Sequence, residues 1–279
     1  MMIGFAYSVQ DPAGRGIAES LSRRLRISCS SVEDLKASIV CDSRIRVIGF
    51  IDDVTSFEYL DQYFPETDLI AILSRHRSES EIPSLTVHYT GNPRRSNLYG
   101  GNPMELSYTK PSISNAFLRN IKDVAMERGL DRDYEISFEA THHGPTTNRK
   151  PLVFLEIGST EDQWKDPVLH DAWVEAIART LSGLRLNCNG IAIGVGGTHY
   201  SERFTRLSIE EGVCMSHIIP RYALKELSEE DLILIVDQAI RKTLEKVELL
   251  VVERKSLSSS HIRSLEEKFS REGIEVRRI

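Results

Sequence analysis

Residues 151–181, PLVFLEIGSTEDQWKDPVLHDAWVEAIARTL, decide the fold class of this chain of 279 residues. The first part, residues 152–157, is a short apolar run typical of a buried strand, and polar residues follow it. In the second part, residues 168–181, apolar residues recur at helical spacing. A buried strand followed by an amphipathic helix is the repeating unit of α/β folds.

The same alternation continues on both sides of this unit. The patterns predict further strands over residues 3–9, 46–51, 68–73, 85–89, 134–141, 190–195, 249–252 and 274–276. They predict further helices over residues 14–25, 56–64, 114–128, 231–247 and 261–271. Additional antiparallel strands are expected between Leu73 and Pro111. We therefore expect one α/β catalytic domain over residues 1–279, with three layers: a largely parallel or mixed sheet with helices on both faces.

The overall charge gives the chain no general attraction to polyanions. Thirty-five Lys and Arg residues stand against 41 Asp and Glu residues, for a net charge of −6. A nucleic-acid ligand would therefore require a local basic patch. The candidates, all close to predicted strand ends or loops, are Arg75, Arg77, Arg94, Arg95, Lys110, Arg149 and Lys150.

The cysteines and the apolar runs bear on the cellular location. Cys29, Cys41, Cys188 and Cys214 are scattered without a C-x-x-C pair, which predicts neither a disulfide framework nor a thiolate zinc site. The chain shows no secretory signal pattern and no apolar run of about 20 residues. We therefore expect a cytoplasmic protein with no membrane association and no obligate protein partner.

Polar clusters with histidines follow several predicted strands. The clusters are SRHRS at 74–78, HYTGN at 88–92, THHGP at 141–145, EIGST at 156–160, GGTHY at 196–200 and SHIIP at 216–220. Six of the eight histidines lie in them. A single histidine at such a position is most often a hydrogen-bonded structural residue. Because ligands bind beyond the carboxyl ends of strands in α/β sheets, the set together predicts an active site.

The residue types restrict the chemistry of that site. The chain has no G-x-S-x-G and no H-E-x-x-H motif, while imidazoles and carboxylates are good zinc ligands. His142 and His143 lie near Glu139 and Glu156, and His88 or His199 would complete a ligand set. If the strand continued, its alternation would turn His142 and His143 to opposite faces, leaving one of them structural. A metal-free alternative uses a histidine as general base and the Gly196-Gly197 amides as an oxyanion hole, and spacing does not choose between the two.

Four motifs give the chain a family resemblance. SRHRS at 74–78, ATHHGP at 140–145, EIGST at 156–160 and GVGGTHY at 194–200 resemble the signatures of the archaeal and plant D-aminoacyl-tRNA deacylases. The likeness extends to about residue 224, and the motifs show no departure from the pattern. The resemblance implies zinc-dependent hydrolysis of the ester between a D-amino acid and tRNA. It also implies a fold similar to phosphorylase/hydrolase-like α/β proteins, including bacterial peptidyl-tRNA hydrolases.

The assignment of individual roles is our own hypothesis. The expected metal ligands are His142, His199 and Glu156. The expected catalytic residues are His76, Thr141, His143, Gly196 and Gly197, with the two glycine amides near the oxyanion. The expected substrate-binding residues are Arg75, Arg77, His88 and Thr198, with the arginines at the 3′ end of the tRNA.

Two other functions fit the same residues. One is a metal-dependent hydrolase or phosphorylase on this architecture, which would act on a small nucleoside-like or amide substrate without a polynucleotide. The other is a nucleotide- or RNA-binding module with structural histidines, which would hydrolyse nothing.

Overall fold

The computed structural model describes residues 2–42 and 45–279. The strands are β1 (Ile3–Ser8), β2 (Cys29–Ser31), β3 (Ala37–Asp42), β4 (Arg46–Phe50), β5 (Leu69–His76), β6 (Ser84–His88), β7 (Gly91–Asn92), β8 (Glu105–Leu106), β9 (Glu135–Phe138), β10 (Leu152–Gly158), β11 (Ile191–Val195), β12 (Cys214–Ile219), β13 (Leu249–Val252) and β14 (Glu275–Arg278). The helices are α1 (Pro12–Leu25), α2 (Pro111–Arg128), α3 (Glu161–Trp164), α4 (Pro167–Leu181), α5 (Glu202–Glu210), α6 (Arg221–Leu224), α7 (Glu229–Arg241) and α8 (Ser259–Ser270).

The larger sheet has eight strands in the order β2-β3-β4-β1-β5-β10-β6-β9. Its centre, β4-β1-β5-β10, is parallel. Strand β6 runs antiparallel to β10, and β9 is parallel to β6. The short pair β7–β8 is also antiparallel, so the expected antiparallel strands after Leu73 are present. The predicted α/β class with a largely parallel, mixed sheet is confirmed.

The two faces of this sheet are covered differently. Helices α1, α2 and α4 pack over one face and bury residues such as Phe117 and Trp173. The other face is covered by the segment 54–64, in which a single helix over residues 56–64 was predicted. In the structure this segment forms two 3₁₀ turns, Val54–Ser56 and Leu60–Gln62, whose aromatic neighbours Phe57 and Phe64 pack around Phe50.

A second, parallel sheet has the order β12-β11-β13-β14. Helices α7 and α8 contribute to the core on one of its sides, and α2 and α5 contact β12. The analysis of the sequence did not predict β12, α5 or the β2–β3 hairpin. Strand β12 includes the polar pair Ser216-His217, and β2 is exposed, so neither shows the apolar pattern expected of a strand.

Local capping explains where the main helices begin. The side chain of Asp11 accepts hydrogen bonds from the Ala13 and Gly14 amides at the start of α1. Asp166 and Ser228 cap α4 and α7 in the same way. Helices α1, α2 and α4 each have proline at the first helical position, where its missing amide hydrogen costs nothing.

The prediction that the cysteines form no disulfides was wrong, because all four of them are disulfide-bonded. Cys29 bonds to Cys41, and Cys188 bonds to Cys214. Cys29 and Cys41 are direct partners across the unpredicted β2–β3 hairpin, so their pairing depends on strand register and not on sequence spacing. Within the described residues, no helix combines the length and the apolar character needed to cross a bilayer.

Replacing Cys29 and Cys41 together with serine removes a cross-link between residues 12 positions apart. We expect the free energy of unfolding to fall by about 3 kcal/mol, because the unfolded chain regains the entropy of that loop. Guanidinium unfolding of oxidised wild type and of the double variant measures this difference. Adding reductant to both proteins is the control, since it should bring them to the same midpoint. Equal midpoints before reduction would contradict the expectation.

Candidate active site

Imidazole and carboxylate side chains from both sheets converge at one place. Their ligand atoms form three overlapping groups, in each of which the atoms lie within 4.8 Å of one another. The groups are His88 with His142 and His143, His76 with Glu139 and His199, and His88 with Glu139 and Glu156. We call these seven residues the histidine–glutamate cluster.

Strand register explains why side chains distant in sequence meet here. The β5–β10 pairing places Ser74 opposite Glu156 and His76 opposite Gly158. Antiparallel β6 places His88 opposite Phe154, and their rings stack with centroids 4.8 Å apart. The loop after β11 is held against the end of β9 by an antiparallel bridge between residues 139 and 200. The cluster therefore combines residues of the larger sheet with His199 from the loop that follows β11 of the second sheet.

Both adjacent histidines of the THHGP motif face the cluster. Strand β9 ends at Phe138, so the side-chain alternation that would have separated His142 from His143 does not apply. His143 also has a left-handed backbone, with φ of 42°. The His142 ring centroid lies 4.2 Å from that of His88 and 4.3 Å from that of His143.

Backbone carbonyls define the tautomers of these three rings. Nδ1 of His142 lies 2.8 Å from the Ala140 carbonyl oxygen. Nδ1 of His143 and of His88 each lies near the carbonyl oxygen of the following residue, at 2.6 and 3.3 Å. Because a carbonyl only accepts, each Nδ1 carries a hydrogen, and in the neutral form of each ring Nε2 presents a lone pair. This is the outer arrangement that orients histidine ligands around a metal.

Two carboxylates are buried at the centre of the cluster. Nδ1 of His76 lies 3.1 Å from Oε1 of Glu139 and 3.2 Å from Oε2 of Glu156. Nε2 of His199 lies 2.8 Å from Oε2 of Glu139. These contacts with Glu139 are close but lack hydrogen-bond geometry. Both carboxylate oxygens of Glu139 are buried and have no hydrogen-bond partner within residues 2–42 and 45–279. The same is true of Nε2 of His88. Such buried acceptors require a positive charge nearby.

The pKa shifts in the cluster show that its buried carboxylates favour positive charge on the neighbouring groups. Burial lowers the pKa of His76, but Glu139 and Glu156 outweigh burial and raise that pKa to about 12. Burial raises the pKa of Glu156, but its contacts with His76 and His88 outweigh burial and lower that pKa to about 2. Burial, followed by the charge on His88, lowers the pKa of His143 to about 4. His143 is therefore a neutral imidazole near pH 7, as a metal ligand must be.

Two cavities open onto the cluster. The larger has a volume of about 710 Å³, and His76, Glu156, Arg75 and Arg77 are among the residues that line it. The smaller has a volume of about 200 Å³ and lies against the loop between β7 and β8. The two cavities share four lining residues, which are Tyr99, His142, His143 and His199.

The basic residues that were candidates for a nucleic-acid-binding patch differ in whether a carboxylate neutralises their charge. Arg94 pairs with Glu226, Arg95 pairs with Asp231, and Lys110 pairs with Asp68. The Lys150 ammonium donates to two backbone carbonyl oxygens. Arg75 stacks over the Trp164 ring at 5.6 Å. Neither Arg75 nor Arg77 forms a salt bridge with any carboxylate that the structure describes, so both keep their charge available at the larger cavity.

Several predicted site residues occupy other positions. The Gly196 amide donates to the Ile219 carbonyl oxygen at 2.8 Å. The Gly197 amide donates to Oε2 of Glu253 at 2.9 Å and to the Ser256 hydroxyl oxygen. Since both amides are already engaged, they do not form the expected oxyanion hole.

His88 and Thr198 do not line either cavity. The His88 side chain is completely buried inside the histidine–glutamate cluster and is out of reach of a ligand in either cavity. Thr198 is exposed, and its hydroxyl donates to the Tyr200 carbonyl oxygen. Their assignment to substrate binding is therefore not supported by their positions.

The Thr141 side chain lies outside the histidine–glutamate cluster and joins the segment after β9 to β12 by hydrogen bonds. Its buried hydroxyl lies 3.0 Å from Nδ1 of His217 and accepts a hydrogen bond from the Ile218 amide. Nε2 of His217 faces the Ser107 carbonyl oxygen, so Nδ1 is the acceptor. Burial lowers the pKa of His217 to about 3, and this ring therefore stays neutral. The Thr141 hydroxyl is thus engaged by His217 and by the Ile218 amide, and the expected catalytic role of Thr141 stays a prediction.

Two further residues lack a final assignment from the sequence. Glu139 is a possible metal ligand beside His142 and His143 on sequence grounds, but the expected ligand set leaves it out. Tyr200 was recorded only as the end of the GGTHY motif, yet its hydroxyl lies 2.9 Å from Nε2 of His76. Their positions within the motifs were the available signal.

Thr141→Val should lower the free energy of unfolding by about 1–3 kcal/mol, because it leaves a buried imidazole nitrogen and a buried amide unsatisfied. Urea unfolding measures this loss. Thr141→Ser keeps the hydroxyl and is the matched control, with an expected midpoint close to that of wild type. A valine variant as stable as wild type would show that these hydrogen bonds contribute nothing.

Comparisons with known proteins agree with the motifs and the site. A family model described as D-aminoacyl-tRNA deacylase matches residues 63–277. The chain is 39% identical to the D-aminoacyl-tRNA deacylase of Staphylothermus marinus, over 97% of both chains. It is also 39% identical to that of Aeropyrum pernix, over 99% of both chains.

A solved structure confirms the fold. The crystal structure of a conserved protein of unknown function, AF0625, superposes with a TM-score of 0.86 at 24% identity. The match covers 99% of this chain and 95% of that one. From the family model, the two relatives and the motifs that build the cluster, the chain belongs to the D-aminoacyl-tRNA deacylase family.

Proposed function

We propose that this enzyme hydrolyses the ester between a D-amino acid and the terminal ribose of tRNA, using zinc held by the histidine–glutamate cluster. The observation that carries the proposal is the set of unpartnered buried acceptors, Glu139 and Nε2 of His88, beneath an open cavity. Family membership supports the substrate. Because aminoacyl-tRNA is made and used in the cytoplasm, we also propose that location.

The residues present fit zinc in both type and arrangement. Imidazole nitrogens and carboxylate oxygens are zinc's ordinary ligands beside thiolates, and both disulfides lie outside the cluster. His88, His142 and His143 present Nε2 lone pairs, and Glu139, Glu156 and His199 add further donors. These six side chains exceed the three or four that one tetrahedral zinc uses, so the set has enough ligands for two ions.

Zinc held here would lower the pKa of a coordinated water towards 7 and polarise the ester carbonyl. The chain's own residues supply the positioning. His142, His143 and His199 line both cavities, so an ester that spans them has its carbonyl beside these rings. Both carboxylates are almost completely buried, which limits the screening of their charges by bulk water.

His76 and Tyr200 are our proposed proton source for the departing ribose oxygen. Because Glu139 and Glu156 raise its pKa, His76 is protonated on both ring nitrogens near pH 7, so Nδ1 donates to Glu156 and Nε2 donates to the Tyr200 hydroxyl oxygen. His76 also lines the larger cavity, where the nucleotide end would lie. A proton at this pair would pass to the alkoxide as the ester bond breaks.

Purified enzyme should release amino acid from D-aminoacyl-tRNA and leave the matched L ester intact. A chelator should abolish release, and added zinc should restore it, because the buried carboxylates and imidazoles require the cation. Matched D- and L-tyrosyl-tRNA, assayed with and without chelator, provide the measurement. Hydrolysis of the D ester that survives complete metal removal would contradict the role of zinc, and no hydrolysis with zinc supplied would contradict the activity.

The same assay with His142→Ala tests the ligand assignment. We expect at least about a hundredfold loss of kcat together with less bound zinc, since loss of even an outer partner of a ligand costs 10–100-fold. His261→Ala, on helix α8 and outside the cluster, is the matched control and should retain both.

Arg77→Ala should weaken tRNA binding in a salt-dependent way. Arg77 is exposed at the larger cavity and has no carboxylate partner that the structure describes, so we expect it to contact phosphate. Removing one such contact should reduce the slope of log K against log salt by about 1. Arg95→Ala, whose guanidinium already pairs with Asp231, is the control and should leave the slope unchanged. Equal slopes for wild type and Arg77→Ala would refute this contact.

A further inference from the structure

We propose that the smaller cavity binds the side chain of the amino acid, while the larger cavity holds the terminal nucleotide. The inference rests on the proposed deacylase function and assigns the two ends of its substrate to two places. It also makes the loop between β7 and β8, residues 93–104, and Tyr222 the elements that determine which side chains are accepted.

The volumes of the cavities distinguish the two ends. Sites for ligands of the size of a nucleoside occupy roughly 300–1,000 Å³. The larger cavity, at about 710 Å³, falls in that range, and the smaller, at about 200 Å³, does not. The smaller cavity therefore excludes the terminal adenosine and suits a single amino-acid side chain.

The shared walls place the scissile bond between the cavities. His142, His143 and His199 line both of them, and all three belong to the histidine–glutamate cluster. In an aminoacyl ester the carbonyl carbon lies between the ribose and the α-carbon. A substrate with one end in each cavity therefore presents this carbonyl to the cluster, as hydrolysis requires.

The linings match the two ends in chemistry. Arg75 and Arg77, which have no salt-bridge partner in the described parts of the chain, line only the larger cavity and suit a phosphate-bearing nucleotide. Its carboxylates, such as Asp53, suit hydroxyl and amino donors of the ribose and base. The smaller cavity is bordered by the rings of Pro93 and Tyr222, and Arg94 covers the Tyr222 ring at 5.3 Å with its charge paired to Glu226.

The wall of the smaller cavity is held in place by hydrogen bonds. The Asn92 amide group donates to the carbonyl oxygens of Gly100 and Asn102, and the Met104 amide donates to the Arg94 carbonyl oxygen. The Gly144 amide, next to His143, donates to the Tyr99 carbonyl oxygen at 3.0 Å. A wall fixed in this way on the site itself can discriminate by size, because its shape does not adapt freely to the ligand.

Ser96→Trp tests the assignment by adding bulk on the wall of the smaller cavity. We expect kcat/KM for D-tyrosyl- and D-tryptophanyl-tRNA to fall at least about tenfold, and that for D-alanyl-tRNA to change less than about threefold. The retained activity on the small D-alanyl ester shows that the variant is folded and active. Tyr222→Ala widens the same cavity and should raise the D-tryptophanyl to D-alanyl ratio of kcat/KM.

Ser78→Trp is the matched control, because Ser78 lines only the larger cavity. It should lower kcat/KM for all three esters by the same factor, since all carry the same nucleotide. Equal losses for all esters in Ser96→Trp, or a loss selective for large side chains in Ser78→Trp, would overturn the inference while leaving the deacylase function standing. Wild-type enzyme inactive on every D ester would instead overturn the proposed function, and the inference with it.

Discussion

The burial of Glu139 and Glu156 side by side is the constraint on which the rest of the site depends. Two carboxylates removed from water are unfavourable unless positive charge or hydrogen-bond donors lie close to them. The protein surrounds them with imidazoles, of which His76 lies between both. The rings of His88, His142 and His143 are oriented by backbone carbonyls at Nδ1, so in their neutral form they present Nε2 lone pairs. The arrangement is unsatisfied by protein atoms alone and is suited to a cation.

One strand with reversed direction makes this arrangement possible. Antiparallel β6 lies between β10 and β9, which brings His88 alongside the middle of β10 and places Glu139, just after β9, next to Glu156. A purely parallel sheet would keep its functional groups in loops beyond the strand ends. Here Glu156 lies inside β10, and His76 and His88 are the last residues of β5 and β6, where main-chain hydrogen bonds hold them more rigidly than a loop would. The second sheet then covers the cluster with His199.

An acidic protein can present a basic site when many of its basic residues form salt bridges elsewhere and those at the site do not. Arg94, Arg95 and Lys110 are neutralised by neighbouring carboxylates, whereas Arg75 and Arg77 at the larger cavity are not. Such local fields outweigh net charge at short range, because charges beyond a Debye length, roughly 8 Å in physiological salt, are screened. The net charge of −6 therefore says little about what the cavity binds.

The sequence by itself determined the alternation of strands and helices, the approximate position of most helices and the motifs that carry the cluster. These features are local: side-chain periodicity and caps such as Asp11 act within a few residues. Tertiary structure decided the direction of β6, the pairing of Cys29 with Cys41 and the engagement of the Gly197 amide by Glu253, 56 residues away. It also decided which polar residues face the cavities and which are buried supports. Each of these features depends on contacts between segments that are distant in the sequence. The energies of such contacts cannot be inferred from a local sequence pattern.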